Sequence, residues 1–133
     1  METAVNLKKY TQADEEKLFA FLQREGEEWQ GYWGKEGKEK YKRALINSFC
    51  YVLYVGSELV GFVRFRDDDG FGVYIYDLLV DKEFRGHAYG RLLMERVRDD
   101  FPSDIVYVMS DVDVYYKKLG YEKEGSIFIV KKH

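Results

Sequence analysis

Residues 85–91, Arg-Gly-His-Ala-Tyr-Gly-Arg, are the part of this chain whose residue types and spacing suit chemistry on an anion. An apolar run closes at Val80, a short charged loop follows, and a helical pattern carried by Tyr89, Leu92, Leu93 and Val97 begins inside that stretch. The first turn of a helix presents N–H groups with no carbonyl partner inside the helix, together with the positive end of the helix dipole. Phosphates bind in such places. The small residues Gly86, Ala88 and Gly90 let a pyrophosphate come close to the backbone, Arg85 and Arg91 add positive charge, and His87 offers chiefly its backbone N–H. The loop lacks the Gly-Lys-Ser/Thr of a P-loop, and the strands before it read as a meander rather than a strand–helix–strand start, which excludes a dinucleotide fingerprint.

The elements that must position this loop are legible from pattern. "AVNLKKY" reads as a first strand, and Thr11 with Asp14 and Glu15 reads as a helix start before Leu18, Phe19 and Leu22, the helix running to about Glu25. The glycine-punctuated, aromatic segment "GEEWQGYWGKEGKEK" reads as a loop, and Tyr41, Leu45 and Phe49 carry a second helical pattern. From Phe49 the period changes to that of strands: "FCYVLYV", a Gly56-Ser57 turn, "ELVGFVRFR", a "DDDG" turn and "FGVYIYDLLV" predict a three-stranded antiparallel meander. The helix after the loop ends at Phe101-Pro102, "DIVYVM" supplies a parallel strand across a right-handed crossover, and "DVYYKKLG" is a last helix stopped at Gly120. "GYEKEGSIFIVKK" then predicts a final hairpin.

Composition bounds the function. A chain of 133 residues suits one domain, residues 1–133, with one core and one main site. Its 21 Lys and Arg against 24 Asp and Glu leave a formal net charge of −3, which disfavours nucleic acid and suits a cationic partner. Cys50, the only cysteine, lies in an apolar run and reads as a core thiol, excluding a disulfide framework and arguing against a cysteine-based zinc site. Asp67, Asp68 and Asp69 lack the alternation of a calcium loop and read as a solvated hairpin turn, so no metal is expected. The start of the chain lacks a signal peptide's basic and apolar regions, and no apolar run is long enough to span a bilayer, so a cytoplasmic protein that does not engage a membrane is expected.

"RGHAYG" resembles the Arg/Gln-x-x-Gly/Ala-x-Gly/Ala pyrophosphate loop of the GNAT superfamily of acetyl-CoA-dependent N-acetyltransferases, with Arg85, Ala88 and Gly90 at the signature positions. "YYKKLGYEKEG" resembles that family's late Phe-Tyr-x-Lys-Leu-Gly-Phe segment, and the order of elements matches over about the whole chain. The resemblance implies a single α/β domain with a mixed, mostly antiparallel sheet of six or seven strands, splayed at its centre and flanked by about four helices. It implies that acetyl-CoA is the cosubstrate, its pyrophosphate held by Arg85, Gly86, His87, Ala88, Tyr89, Gly90 and Arg91. The backbone of Leu78, Leu79 and Val80 would pair with the pantetheine arm as an added strand does.

By the same resemblance Tyr116 is the acid that protonates the leaving thiolate, and Tyr115 occupies a core position. Asp77, the carboxylate inside "FGVYIYDLLV", is a base for the attacking amine or a structural strand-end carboxylate in equal measure. Trp29, Tyr32 and Trp33 border the acceptor side as a cation-accepting wall, or pack the helices onto the sheet. The absence of a cysteine nucleophile favours direct attack of a primary amine in a ternary complex. The rival reading is a non-catalytic acyl-CoA sensor on the same fold. The family's habits also admit a homodimer, though nothing in the sequence marks its interface.

Overall fold

The computed structural model describes residues 4–110 and 112–132. Five strands lie side by side in sequence order: β1 (Val5–Lys9), β2 (Phe49–Val55), β3 (Glu58–Asp67), β4 (Val73–Val80) and β5 (Val106–Val108). The first four are antiparallel neighbours and β5 is parallel to β4. The helices are α1 (Glu15–Arg24), α2 (Gln30–Trp33), α3 (Gly37–Ile46), α4 (Tyr89–Asp100) and α5 (Asp113–Lys118). The meander and the β4–α4–β5 crossover are where the pattern put them. Asp68 and Phe71 close the hairpin turn between β3 and β4, as expected for the aspartate run: the Asp68 N–H donates to the Gly72 carbonyl at 2.9 Å.

Side-chain alternation sorts the core into two layers. Cys50, Val52 and Tyr54 of β2 and Leu59 and Phe62 of β3 face one way, onto Leu18, Phe21 and Leu22 of α1 and Tyr41 and Leu45 of α3. Tyr51, Leu53, Val63, Phe65, Val73 and Ile75 face the other, onto Leu93, Met94 and Val97 of α4. Each layer contains several side chains with no exposure, so the sheet is a slab covered on both faces. Cys50 is buried, as a core thiol should be, and burial pushes its ionisation far up.

Three expectations need correction. The segment from residue 26 to 40 is not an open loop: a 3₁₀ turn at Glu27–Trp29, α2 and the start of α3 occupy it, because Trp29, Tyr32 and Trp33 pack on the first core layer and hold it against the sheet. Phe49 does not continue the second helix. Asn47 Nδ2 donates to the Arg43 carbonyl at 2.9 Å and Ser48 Oγ to the Ala44 carbonyl at 2.6 Å, so side chains satisfy the last helix carbonyls and Phe49 opens β2. The five α-helices among the described residues, the short α2 included, agree with the expected number of about four. Among the described residues the sheet has five strands rather than six or seven, because residues 121–132 form neither strand nor turn.

A buried polar cluster fixes α1 to the first strand. Asp14, 4% exposed, accepts from Lys8 Nζ at 2.8 and 2.9 Å, from Tyr54 Oη at 2.6 Å and from the Thr11 N–H at 2.8 Å. Burial alone would raise the Asp14 carboxyl, but the hydrogen bonds from Lys8, Tyr54 and Thr11 outweigh it and hold the group below the ordinary carboxylate value. A carboxyl depressed on folding adds stability above its unfolded value of about 4, and that contribution disappears as the pH falls through the lower folded value. Asp14→Asn should therefore cost about 1–3 kcal/mol at neutral pH, with the deficit shrinking below pH ~4 in urea unfolding curves taken across the range.

Candidate functional site

Strand β4 changes character half-way along. Arg64 of β3 pairs with Asp77, yet its neighbour Phe65 pairs with Ile75, so Tyr76 is an extra residue that bulges out of the ladder. A one-residue insertion turns every later side chain to the opposite face. Val73 and Ile75 accordingly point to α4, whereas Asp77 and Leu79 point to the α1–α3 side, and Leu78 and Val80 take over the α4 side. On its other edge β4 pairs with β5 only through Val73, Tyr74 and Ile75, after which the Met109 N–H donates to the Ile75 carbonyl at 3.0 Å. No strand among the described residues covers the remainder of that edge, residues 76–80, and this is the splay that the resemblance implied.

The free edge leads straight to the anion loop. Asp81 caps a 3₁₀ turn, Lys82–Phe84, by accepting from the Glu83 N–H at 2.9 Å, and Arg85 Nε reaches back to the Val80 carbonyl at 3.2 Å. Gly86 has φ 89° and Ala88 has φ 62°, so two left-handed residues curl the backbone into a concave turn immediately before α4. Ala88 is the helix N-cap and takes a left-handed conformation, which costs an alanine about 1–2 kcal/mol. The Leu92 N–H is bonded to the Ala88 carbonyl at 3.0 Å, which leaves the N–H groups of Tyr89, Gly90 and Arg91 as first-turn donors. Arg85, Gly86, His87 and Ala88 are exposed; His87 stacks on Tyr89 with ring centres 5.5 Å apart, and Arg91 is bridged to Glu95 at 2.7 Å.

Gly90 is buried, and a Cβ there would lie 2.6 Å from Tyr115 Oη and 3.9 Å from a Val80 methyl, so any side chain would displace the phenol. The Tyr115 hydroxyl thus stands between the first turn of α4 and the end of β4, and burial raises its ionisation above the usual phenol value, with Tyr121 adding to the effect. Tyr116 packs edge-to-face on Tyr115 at 5.0 Å, belongs to the α4-side core layer, and lines a cavity with Tyr74, Val108 and Met109. That cavity, about 690 Å³, is lined by β5, α5 and residues 121–127 together with Tyr74, and none of residues 76–91 lines it.

On the opposite face, Asp77 is 6% exposed and ion-paired: Arg64 Nε lies 2.6 Å from Oδ2, Tyr41 Oη donates to the same oxygen at 2.6 Å, and Tyr32 Oη reaches Oδ1 at 3.4 Å. Burial first, then the Asp77 charge, push the Tyr41 phenol well above its ordinary value and keep it neutral. Burial would lower the Arg64 guanidinium, but the hydrogen bond and charge of Asp77 outweigh that and hold Arg64 above its ordinary value. Tyr32 stacks obliquely on Tyr41 at 4.6 Å and on Trp29 at 5.0 Å, so Trp29, Tyr32 and Asp77 form one wall. Trp33 packs on the same core layer, and its Nε1 donates to the Gly26 carbonyl at 3.2 Å. Sequence reading missed Arg64, Tyr41 and Glu25, the last a buried carboxylate that accepts from the Lys82 N–H at 3.3 Å and ties the loop to the end of α1. The available signal was Arg64 itself, a cation within the apolar strand "LVGFVRF", which requires a buried anion.

A fold with this splayed strand and loop has known counterparts. Residues 15–121 match the acetyltransferase (GNAT) family. The chain belongs to that family. An uncharacterised N-acetyltransferase of Pyropia yezoensis is 33% identical over 102 residues, covering 69% of this chain and 59% of the relative. A histone acetyltransferase of Glycine max is 30% identical over 109 residues, covering 69% of this chain and 47% of the relative. The chain therefore spans about half to three-fifths of these relatives' length. Among solved structures, AAC(6′)-Iy in complex with the bisubstrate analogue CoA-S-monomethyl-acetylneamine superposes with a TM-score of 0.76 at 11% identity, covering 98% of this chain and 99% of that one, which establishes the shared fold.

Two outcomes test the geometry of this GNAT site. Arg64→Ala leaves the Asp77 carboxylate buried without its partner and should cost about 3–5 kcal/mol in urea unfolding. Ala88→Gly removes the left-handed strain and should raise stability by up to about 1 kcal/mol in thermal melts, because part of the relief is offset by glycine's larger loss of backbone freedom.

Proposed function

We propose that this GNAT chain transfers the acetyl group of acetyl-CoA to a primary amine by direct attack. The observation that carries the reading is the continuity of the unpaired β4 edge, residues 76–80, with the concave Gly86–Ala88 turn at the N-terminus of α4. A pyrophosphate fits the turn: the first-turn N–H groups of Tyr89, Gly90 and Arg91 and the exposed Arg85 all address one place. The backbone of Leu78, Leu79 and Val80 receives the pantetheine arm as an added strand, and Arg85 must release the Val80 carbonyl for it. When bound, acetyl-CoA supplies the activated acetyl group; the protein aligns the amine, stabilises charge on the carbonyl through a β4 N–H, and returns a proton to the sulfur.

Trp29 and Tyr32 form the acceptor wall, and their π-faces suit a cationic amine. The amine must lose a proton before it can attack. Asp77 Oδ2 is engaged by Arg64 and Tyr41, so the proton reaches Oδ1, by way of the Tyr32 hydroxyl. Relatives and neighbours act on a histone in one case and bear an aminoglycoside-type analogue in another, and both acceptors are polycationic amines. A protein or small-molecule amine with several positive charges is the acceptor class proposed here.

The leaving thiolate takes its proton from a phenol of α5. The late motif assigns this to Tyr116. A second assignment, Tyr115, is favoured by its hydroxyl, which stands beside Gly90 and Val80 while Tyr116 lines the cavity beside β5. The rival non-catalytic sensor draws its support from the strained Ala88 cap.

Release of free CoA from acetyl-CoA over a panel of polyamines, aminoglycosides and basic peptides is the deciding assay. Turnover on at least one amine is expected, and saturable CoA binding with none would establish the sensor. Tyr116→Phe should lower kcat about 100-fold or more while sparing CoA affinity, and Arg85→Ala should weaken CoA affinity with a smaller effect on kcat. If Tyr115→Phe produces the kcat loss instead, the acid is Tyr115. Asp77→Asn should lower kcat while sparing CoA affinity; loss of thermal stability with kcat intact would make Asp77 purely structural.

A further inference from the structure

As a stabilising group Glu25 is badly placed. It is 5% exposed, it has no ion pair among the described residues, and it caps the C-terminal end of α1, where the helix dipole is negative. Its side chain accepts from the Lys82 N–H, at 3.3 Å from Oε1. A methionine of similar length would fill the same space without burying a carboxylate. The residue makes sense through what it holds.

Lys82 opens the 3₁₀ turn from which the anion loop hangs. Every N–H from residue 81 to 84 is engaged: Asp81 donates to the Val60 carbonyl at 2.8 Å, Lys82 to Glu25, Glu83 to the Asp81 carboxylate at 2.9 Å and Phe84 to the Asp81 carbonyl at 2.9 Å. Of these, the bonds to Val60 of β3 and Glu25 of α1 tie the turn to other elements. Arg24 adds a longer contact to Asp81, at 3.5 Å. The pattern reverses at Arg85. Among the described residues no N–H from Arg85 to Arg91 donates to a backbone carbonyl. Open donors suit a phosphate, but a segment whose own N–H groups anchor nothing takes its position from its two ends. Helix α4 fixes one end, and the turn fixes the other.

Glu25 is a firm support for that turn. Its N–H donates to the Phe21 and Leu22 carbonyls at 3.2 Å, and the carbonyl of Gly26, at φ 97°, accepts from the Trp29 N–H at 3.1 Å and from Trp33 Nε1 at 3.2 Å. Behind it, Leu18, Phe21 and Leu22 of α1 have no exposure. We propose that Glu25 is the positioning residue of the anion loop: its carboxylate holds the Lys82 N–H so that the N–H groups of residues 85–91 converge on the pyrophosphate of CoA. The inference rests on the CoA reading of that loop. Glu25 acts through the turn, not on the cosubstrate, and what the position needs is an acceptor oxygen rather than a charge.

Isothermal titration of the full chain with CoA, alongside thermal melts, is the test. The wild type should bind saturably. Glu25→Met removes the acceptor and keeps the bulk, so it should melt no lower than the wild type yet bind CoA about ten-fold more weakly, a divergence that a purely structural role does not give. Glu25→Gln keeps an acceptor oxygen and should stay within about two-fold of the wild type. Lys82→Pro deletes the N–H that Glu25 holds. A proline is tolerated there because Lys82 is the first residue of the turn and Asp81, at φ −53° and ψ 136°, already has the conformation that a following proline requires. In that background Glu25→Met should change CoA affinity by less than about two-fold. Unchanged affinity in Glu25→Met, a Glu25→Gln variant as weak as Glu25→Met, or a further loss in the proline background would each overturn the proposal. Glu25→Ala is read in the same way if Glu25→Met does not fold. A wild type that folds but takes up no CoA would overturn the CoA reading itself, and this inference with it.

Discussion

One inserted residue organises this molecule. The bulge at Tyr76 separates β4 into a half that serves the α4-side core and a half that does not. Ahead of it, Val73 and Ile75 are core side chains and the strand is paired on both edges. Beyond it, Asp77 is turned into the aromatic layer beneath α2 and α3, and the edge facing β5 is left open. A regular strand would have placed Asp77 among Leu93, Met94 and Val97, where a carboxylate has no partner. The bulge thus makes the proposed acceptor wall and the proposed cosubstrate edge at once, on opposite sides of the same few residues.

Charge burial on the acceptor side follows from that geometry. Asp77 sits in a dry environment because Arg64 projects from the neighbouring strand to the same face and Tyr41 donates from α3. The same ion pair recruits the aromatic residues: the Arg64 guanidinium lies over the rings of both Tyr41 and Tyr76 at about 5.5 Å, and Tyr32 leans on Tyr41. What holds α2 and α3 to the sheet is therefore in large part the need to satisfy one carboxylate. Stability and the shape of the acceptor side are coupled through it.

The anion loop shows a different trade. Its exposed residues make few contacts, and its shape is a property of the backbone, with Gly86 left-handed at little cost and Ala88 left-handed at some. Gly90 is the packed counterpart: it lets the Tyr115 hydroxyl lie against the first turn of α4. A loop that carries strain for the sake of converging N–H groups is consistent with a site for phosphate, and the family match over residues 15–121 is consistent with what that phosphate belongs to.

Pattern alone determined the meander, the crossover, the position of the anion loop and the family, because strand alternation, turn residues and the Arg-x-x-Ala-x-Gly spacing are local signals. It also located Asp77 and the residues of the loop, but not what they touch. Whether Asp77 met a partner depended on a bulge that breaks alternation by one residue, and on Arg64 and Tyr41, which are 13 and 36 positions away in the chain. Which of the adjacent phenols of α5 stands at the cleft depended on how that six-residue helix packs against Gly90. The last apolar run read as half of a hairpin, since its composition is that of a strand. Only the tertiary structure showed that the chain does not turn at Gly125, because a turn is a matter of a few dihedral angles that glycine permits without requiring.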